Sequence, residues 1–440
     1  MAEHVVYCVT HAYGAPFPDA EGRAPRLQVL SVSADGSAMT LVQEVALPVG
    51  SGGFMTMQLN VQHQARRLGG RKRSGRLRGR PDQQGPGGGW QTASVLAGHV
   101  REHAYSAGRL PRVGLGLLRG EKYSCNFFAG TVTALPFDKV TGRCGAPSAV
   151  CTPTHPGTPQ KALDAIDPNG ESGPFGAGFP ENGCHPHGIA LHPSGKWLVM
   201  SDLGSNNFRV YSLPVGDSFK VGPPDFTLAA HTAPDSNICY GAGPKNAAFS
   251  SDGRVLFSCN ELDSSVSAYR FDDQTGELTP CGSPCMALPQ SWLDSVPPRP
   301  LPFYDQCHSG GSLCLAPDGK HLYASNRGHD SVACFAVGAD GALSPTAQFT
   351  VPAGGRISWN LTMPSDTLLV VCNQYADDPE ARSGDGKGDP KRVAPPPKGP
   401  GNLRVFSRDP ATGELTPSGC VYEVDEPSTL VAAVRPKLYP

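Results

Sequence analysis

Hydrophobic and polar residues alternate along much of the chain in short runs that end in turns containing Gly, Asp or Asn. Three successive segments share this pattern most clearly: Pro193–Tyr211, Ser251–Tyr269 and Pro317–Phe335. Each begins with a turn ending in Gly, continues with an alternating run, passes a polar turn and closes with a run ending in Tyr or Phe. Period-two alternation interrupted by Gly-bearing turns is typical of β-hairpins. The pattern therefore predicts a series of repeated hairpins.

The repeat extends beyond these three segments. A fourth copy begins at Pro364–Gln374 and is completed by Leu403–Phe406 after an insertion, and two weaker copies cover Arg26–Gly36 and Tyr123–Phe137. The turn glycines Gly195, Gly253 and Gly319 lie 58 and 66 residues apart, which is enough for about four strands in each unit. We expect each of these glycines to adopt a positive φ.

A unit of four strands cannot bury both of its faces by itself, and radial repetition around an axis solves this problem. The chain is therefore predicted to be all-β, a seven-bladed β-propeller, with residues 1–440 in one domain. Val5–Thr10 is expected to be an outer strand that closes the ring with the last blade.

Residues 61–120 interrupt the repeat where a blade should stand. Arg66–Arg80 contains eight basic residues and no acid, and Gln83–Gly89 is rich in Gly. Three interpretations are open: a basic arm that binds nucleic acid or directs nuclear import, a solvated insertion, or a retained intron or shifted frame that replaces the true blade. We favour the last two. A second insertion, residues 376–401, is predicted to be a polar surface loop.

Composition narrows the function classes. Lys and Arg total 37 against 39 for Asp and Glu, and this balance argues against a dedicated nucleic-acid or membrane-surface protein. There is no apolar run near the roughly 20 residues that a membrane helix needs. The 14 cysteines contain no C-x-x-C pair, and the first residues lack a secretory leader. We therefore expect a cytoplasmic protein with reduced thiols.

The strongest local group of reactive side chains is Cys184-His185-Pro186-His187. Two imidazoles and a thiol this close can bind a metal ion. Alternate residues of an extended segment face the same side, so His185 and His187 are expected on one surface, for which the central channel is a candidate. No third or fourth ligand stands out, so we favour acid–base chemistry and predict neither a metal nor a cofactor. At least one of the two histidines can also be a structural residue.

The repeat supplies further candidates at matching places. Lys245 precedes a strand as His187 does, and the dipeptides Asn260-Glu261, Asn326-Arg327 and Asn373-Gln374 end the first hairpin strand of successive copies. Polar residues are common in such turns, so each is weak evidence alone. Together they provide a base, a carboxylate and cations, which are the groups needed to hold an anion and move a proton.

Several of these segments resemble the seven-bladed propeller lactonase family, which includes bacterial-type 6-phosphogluconolactonase and fungal 3-carboxy-cis,cis-muconate cyclase. The resemblance rests on His185-Pro-His187, on Gly243-Pro-Lys245, on Asn260-Glu-Leu and on Tyr323–Val332, and it covers residues 121–420 well. It implies a pocket lined by His187, Lys245, Glu261 and Arg327, with Lys245 at a position where the family commonly has Arg.

The resemblance implies hydrolysis of a small anionic sugar lactone, in which His187 activates water, with Glu261 as a candidate to orient it, while Lys245 and Arg327 hold the anion and stabilise the oxyanion. The proposed substrate contacts also include His185, Asn260, Asn326 and Gln374. One alternative is a muconate-type lactonising reaction in the same pocket. Another is a propeller that acts as an interaction scaffold without catalysis. No nucleic-acid or membrane partner is expected.

Overall fold

The computed structural model describes the following residues: 4–10, 26–46, 119–126, 131–138, 143–144, 148–151, 186–203, 206–213, 227–229, 242–294, 309–345, 347–376, 400–425 and 427–433. Within them the chain forms six antiparallel sheets and one short helix, α1 (Gln290–Leu293). The predicted all-β class is confirmed. Of the two predicted interruptions, 61–120 and 376–401, only the ends are described, and these belong to strands: Arg119 and Gly120 begin β4, Ala376 ends β22 and Gly401 begins β23. Residues 61–118 and 377–399 lie outside the described residues.

Sheet 1 combines strands from the beginning and the end of the chain, and sheet 2 follows later in the sequence. Sheet 1 has the order β25-β1-β2-β3. Its strands are β1 (His4–Thr10), β2 (Arg26–Val32), β3 (Met39–Ala46) and β25 (Pro427–Ala433). Sheet 2 has the order β4-β5-β6, with β7 also paired to β5. Its strands are β4 (Arg119–Asn126), β5 (Thr131–Asp138), β6 (Arg143–Cys144) and β7 (Ala149–Cys151).

The next two sheets follow the predicted hairpins. Sheet 3 pairs its strands in chain order. They are β8 (Pro186–Leu191), β9 (Trp197–Asp202), β10 (Asn207–Ser212) and β11 (Thr227–Ala229). Sheet 4 does the same, with a fifth strand paired to β14. Its strands are β12 (Pro244–Phe249), β13 (Val255–Asn260), β14 (Ser265–Phe271), β15 (Leu278–Pro280) and β16 (Cys285–Met286).

Sheets 5 and 6 complete the series with four strands each. Sheet 5 contains β17 (Ser309–Leu315), β18 (His321–Arg327), β19 (Ser331–Ala336) and β20 (Phe349–Pro352). Sheet 6 contains β21 (Gly355–Ser365), β22 (Leu368–Ala376), β23 (Gly401–Arg408) and β24 (Leu415–Val424). The turn glycines Gly195, Gly253 and Gly319 have φ values of 73°, 78° and 72°, as the repeat predicts.

The first strand of each repeat lies innermost. β8 contacts β12, β12 contacts β17, β17 contacts β21, and β21 contacts β25. The hydrophobic core lies between neighbouring sheets: one cluster joins Val199 and Phe208 of sheet 3 to Phe249 and Tyr269 of sheet 4, and comparable clusters fill the next interfaces. This arrangement of blades places the polar ends of the inner strands around a shared axis.

The closing strand corrects one expectation. β1 does pair with the C-terminal strand β25, but it lies between β25 and β2 and is not an outer strand. Both edges of β1 therefore make backbone hydrogen bonds, and Val6 and Cys8 are buried in the core between sheets 1 and 6. No helix in the described part of the chain is long and apolar enough to cross a membrane.

Candidate active site

Inner strands of four successive sheets share an irregularity at the same place. In β8, β12 and β21 the pairing with the next strand shifts by one residue, and the extra residues are His187, Lys245 and Trp359. In β17 the corresponding shift includes Gly311. A β-bulge redirects the side chain of the extra residue, and such bulges often occur beside active sites. The bulges bring side chains from three sheets to one group of charges.

A second set of side chains comes from the ends of the neighbouring strands. Glu261 directly follows β13, and Arg327 is the last residue of β18. Backbone hydrogen bonds fix Glu261 between two blades: its N–H donates to the carbonyl of Gly243 at 2.8 Å, and its carbonyl accepts from the N–H of Gly310 at 3.0 Å. The carboxylate is therefore held at a junction of inner strands.

Glu261 is the centre of four interacting side chains, which we call the axial cluster: His187, Lys245, Glu261 and Arg327. Arg327 Nη2 lies 2.6 Å from Glu261 Oε1 and also donates to the carbonyl of Gly310 at 2.9 Å. Lys245 Nζ and His187 Nε2 lie 3.1 Å and 3.6 Å from Glu261 Oε2. The structure thus brings together the four residues that the repeat and the resemblance selected.

Burial sets the charge of each member. The side chains of Arg327 and Glu261 are 0% and 3% exposed. Desolvation and the charge of Lys245 lower the pKa of His187 to about 3, despite the opposing effect of Glu261, so its imidazole is neutral near pH 7. Desolvation and Arg327 lower the pKa of Lys245 to about 8, which leaves most of it protonated at neutral pH.

Glu261 is ionised for a different reason. Burial alone would raise the pKa of its carboxyl group, but the charges of Arg327 and Lys245 outweigh that effect and hold the pKa well below its usual range. Two cations, one carboxylate and a neutral imidazole give the axial cluster a net charge of about +1 near pH 7. A buried positive charge of this kind favours an anion, since charges interact more strongly where water is excluded.

Trp359 is a site residue that the sequence reasoning missed. The Nζ of Lys245 lies 4.5 Å from the centre of its ring, and the Cζ of Arg327 lies 4.3 Å from it. The indole Nε1 donates a hydrogen bond of 2.6 Å to Gln374 Oε1. The spacing of the repeat does not single it out: counted from the matched strand end Asn373, the residue that corresponds to Gly195 is Asp366, and Trp359 stands seven residues before it, whereas His187 stands eight before Gly195.

The other predicted substrate contacts have different surroundings. The amide nitrogen of Asn260 donates to the hydroxyls of Ser265 and Ser267, and that of Asn326 donates to the carbonyl of Ala287. The hydrogen bonds of Asn260 hold a turn within sheet 4, whereas that of Asn326 joins sheet 5 to the residue after β16 of sheet 4. A contact of either asparagine with substrate stays a prediction. Gln374 contacts Trp359, as described above, and its Nε2 lies 3.3 Å from the hydroxyl of Tyr375.

The predicted role of the Cys184–His187 segment can be followed only in part. His187 belongs to the axial cluster, whereas Cys184 and His185 lie outside the described residues. Among the side chains that the structure places, no group of three His, Cys, Asp or Glu residues is arranged to hold a metal ion. Independence of metals stays a prediction.

Comparison with known protein families shows to which family the chain belongs. The family described as "Lactonase, 7-bladed beta-propeller" matches residues 119–383. The chain belongs to this lactonase family. The match includes all four members of the axial cluster and Trp359. The family architecture has seven blades and the described residues form six sheets, and the longest stretch outside them, residues 47–118, lies between β3 and β4.

Curated relatives of this lactonase-family chain carry related names. It is 28% identical over 257 residues to a protein of Arthroderma benhamiae named "Probable 6-phosphogluconolactonase", which covers 56% of this chain and 53% of that protein. It is 25% identical over 235 residues to the 6-phosphogluconolactonase of Bacillus subtilis, which covers 53% of this chain and 52% of that protein. The chain thus spans about half the length of the curated relatives it matches.

Solved structures that are similar to this lactonase-family chain have the same fold. A protein from Lactobacillus plantarum superimposes with a TM-score of 0.57 at 18% identity, covering 98% of this chain and 99% of the other. The Pseudomonas aeruginosa periplasmic gluconolactonase gives a TM-score of 0.51 at 17% identity, covering 98% and 86%. These similarities establish the propeller architecture.

Proposed function

We propose that this protein hydrolyses a small anionic sugar lactone of the 6-phosphogluconolactone type. One observation carries the proposal: a neutral histidine, His187, lies beside two buried cations that outnumber their single carboxylate. Such a site offers a proton acceptor and a binding place for negative charge within one pocket. The family and the names of the relatives from Arthroderma benhamiae and Bacillus subtilis support a lactone as the substrate.

In this proposal Lys245 and Arg327 bind the anionic group of the substrate and stabilise the negative charge that develops on the carbonyl oxygen. Arg327 provides a planar guanidinium, whose forked N–H groups can bind two oxygens of one anion. Lys245 provides a compact ammonium, which cannot form such a fork. Glu261 holds both cations in place through its two oxygens. It thereby keeps the cations close together despite their mutual repulsion.

His187 acts on water in the proposed reaction. The water oxygen forms a bond to the lactone carbonyl carbon while one water proton passes to the unprotonated ring nitrogen of His187, and the carbonyl oxygen becomes an oxyanion. When the tetrahedral intermediate collapses, the ring C–O bond breaks and the ring oxygen receives the proton from His187. An anionic substrate raises the pKa of the neighbouring imidazole above its low value, which makes it a stronger base. No metal ion or cofactor is needed for these steps.

The compartment that fits this proposal is the cytoplasm. Cys259 and Cys334 are buried thiols, and desolvation raises the pKa of each to about 12. Reduced, unreactive thiols of this kind are typical of proteins in a reducing compartment.

The test compares two histidine variants of the purified protein with 6-phosphogluconolactone, after subtraction of spontaneous hydrolysis. His187→Gln should lower kcat by roughly 10²–10⁴-fold, because it removes the proposed general base. His321→Gln is the matched control, since His321 is a buried histidine that contacts Arg408 at the opposite end of β18. We expect it to keep wild-type turnover per folded molecule.

Other outcomes would redirect the proposal. Turnover of carboxymuconate or its lactone, with none of the sugar lactone, would identify a lactonising enzyme of the muconate type. Loss of activity after dialysis against EDTA would contradict the metal-free mechanism. An absence of turnover with every substrate would leave a propeller that works as a scaffold.

A further inference from the structure

Trp359 occupies the same structural position in its sheet as His187 and Lys245 do in theirs. Each of the three is the extra residue of a bulge in an inner strand. The residue just before it pairs with a polar residue, Asp202, Asn260 or Asn373, near the end of the following strand. The two other members of this pattern, His187 and Lys245, belong to the axial cluster. The repeat therefore places an aromatic ring where two other sheets place an imidazole and an ammonium.

The ring of Trp359 contacts both cations of the axial cluster. Lys245 Nζ and Arg327 Cζ lie within 4.5 Å of the ring centre, and each is also paired with Glu261. A cation over a tryptophan ring is attracted by the negative potential of the π-system, more strongly when water is excluded. One ring and one carboxylate thus constrain two like charges from different blades.

We propose that Trp359 is a positioning residue, which holds Lys245 and Arg327 together so that both can bind one anionic group of the substrate. The proposal rests on the proposed function, because it assigns the ring a role in anion binding at the same site. Trp359 also sets the charge of Lys245: losing the ring removes an attraction that favours the protonated amine, and the repulsion from Arg327 remains.

Gln374 orients the ring in this arrangement. Its Oε1 accepts the indole hydrogen bond at 2.6 Å, and it directly follows Asn373, whose amide nitrogen is bound to the carbonyl of Ala353 and to Asn402. The rotation of the indole is therefore fixed from the end of β22. The predicted contribution of Gln374 to substrate binding passes through Trp359.

The titratable and charged groups that face Lys245 come from three elements, and they determine the pH at which its amine loses its proton. They are His187 of β8, Cys259 and Glu261 at the end of β13, and Arg327 of β18. Glu261 favours the charged amine, whereas Arg327 and burial oppose it. Substitution of Trp359 leaves all four groups in place. Loss of burial alone would raise the midpoint of Lys245, so a fall in the midpoint reports the loss of the attraction by the ring.

The first experiment measures that titration without any substrate. The ¹³Cε signals of the lysines are followed by NMR from pH 6 to 11, with Lys245 assigned by the signal that Lys245→Arg removes. In Trp359→Leu we expect the midpoint of Lys245 to fall by about one pH unit, and in Trp359→Phe by less, because a smaller ring remains. Trp197→Phe is the matched control, since Trp197 donates to the carbonyl of Asp273 in another region.

The second experiment measures binding of 6-phosphogluconate, the product of the proposed reaction, by calorimetry at pH 7. Trp359→Leu should weaken binding about tenfold, Trp359→Phe less, and Trp197→Phe not at all. If neither Trp359 variant changes the Lys245 midpoint or the affinity, the positioning role is wrong. If the wild type does not bind 6-phosphogluconate, the proposed function fails, and the titration alone still decides whether the ring sets the charge of Lys245.

Discussion

Two buried arginines, Arg327 and Arg408, lie at opposite ends of strand β18, and their surroundings differ in charge. Arg327 ends β18 in the axial cluster. Arg408 lies near the other end of β18 in a group that we call the base cluster: Asp318, His321, Tyr323 and Arg408. Arg408 donates to the Tyr323 hydroxyl at 2.8 Å, to the carbonyl of Asp366 at 2.8 Å and to Asp318 at 2.9 Å.

The difference lies in charge balance. The base cluster has one cation and one carboxylate, with neutral hydroxyl, carbonyl and imidazole groups completing the hydrogen bonds of Arg408. The axial cluster has two cations and one carboxylate, and its histidine is neutral. A buried arginine whose charge is balanced locally joins blades together, whereas an excess of buried positive charge marks a place that an anion can occupy.

The largest effect on the free energy of unfolding should come from removing the carboxylate of each cluster, that of Glu261 or that of Asp318. Glu261→Gln leaves two buried cations next to each other, and breaking a buried pair costs about 3–5 kcal/mol of unfolding free energy. Asp318→Asn should cost about 1–2 kcal/mol, because Asp318 is 24% exposed and Arg408 keeps its other partners. Urea denaturation measures both losses, and equal losses would contradict the distinction between the clusters.

Phosphate sharpens this comparison. Added inorganic phosphate should recover part of the stability of Glu261→Gln, because an anion can replace the missing carboxylate between Lys245 and Arg327. The same salt should leave Asp318→Asn at its lowered stability. A matched titration with chloride at the same ionic strength separates specific binding from screening.

A smaller effect is expected from glycines in the two regions. A Cβ on Gly311 would lie 2.2 Å from the carbonyl oxygen of Ser358 and 2.4 Å from Ser325 Oγ, so Gly311→Ala should cost about 2–3 kcal/mol through overpacking. Gly319, in the turn beside the base cluster, has open space and a φ of 72°, so Gly319→Ala should cost about 1 kcal/mol. Thermal unfolding compares the two, and the reverse order would show that the inner strands can move apart.

The smallest effect concerns alkaline pH. Because the pKa of Lys245 is about 8 in the folded protein, its charge is lost between pH 7 and pH 9, and the affinity for 6-phosphogluconate should fall up to about tenfold. Lys245→Arg should keep its affinity over this range, because Arg stays protonated. Calorimetry at both pH values measures the difference, and an equal decline in both proteins would assign the titration to another group.

The contribution of Lys245 to stability should change with pH in the opposite direction to the affinity. Its pKa is lower in the folded chain than the ordinary value of 10.5, so between about pH 8 and 10.5 the unfolded chain binds the proton and the folded chain does not. The contribution of Lys245 to the free energy of unfolding therefore rises with pH in this window. Loss of affinity at pH 9 is consequently expected in a protein that remains folded.

The hairpins could be predicted because their signals are local. Alternation and turn glycines determine strands and turns within a few residues, and the positive φ of Gly195, Gly253 and Gly319 follows from the same pattern. The position of β1 was wrong as an outer strand, because a local pattern does not say whether one or both edges of a strand are paired.

The sequence predicted which residues meet at the site better than it predicted their protonation states and contacts. Repeat positions selected His187, Lys245, Glu261 and Arg327, and the distances show that they meet. Their roles in catalysis stay predictions. Trp359 was missed because its side chain does not titrate, and its contribution depends on contact with two cations from other blades. The neutral state of His187 likewise depends on burial, which no spacing in the sequence expresses.

The place of β1 between β25 and β2 has a consequence for assembly of the molecule. Strands that carry the axial cluster are made in the middle of the chain, but sheet 1 acquires its innermost strand only when residues 427–433 have been synthesised. Joining segments more than 400 residues apart is a slow, long-range step in folding. Sheet 1 therefore cannot be completed before β25 has been made, and until then a nascent chain holds the lysine, the glutamate and the arginine on an open arc.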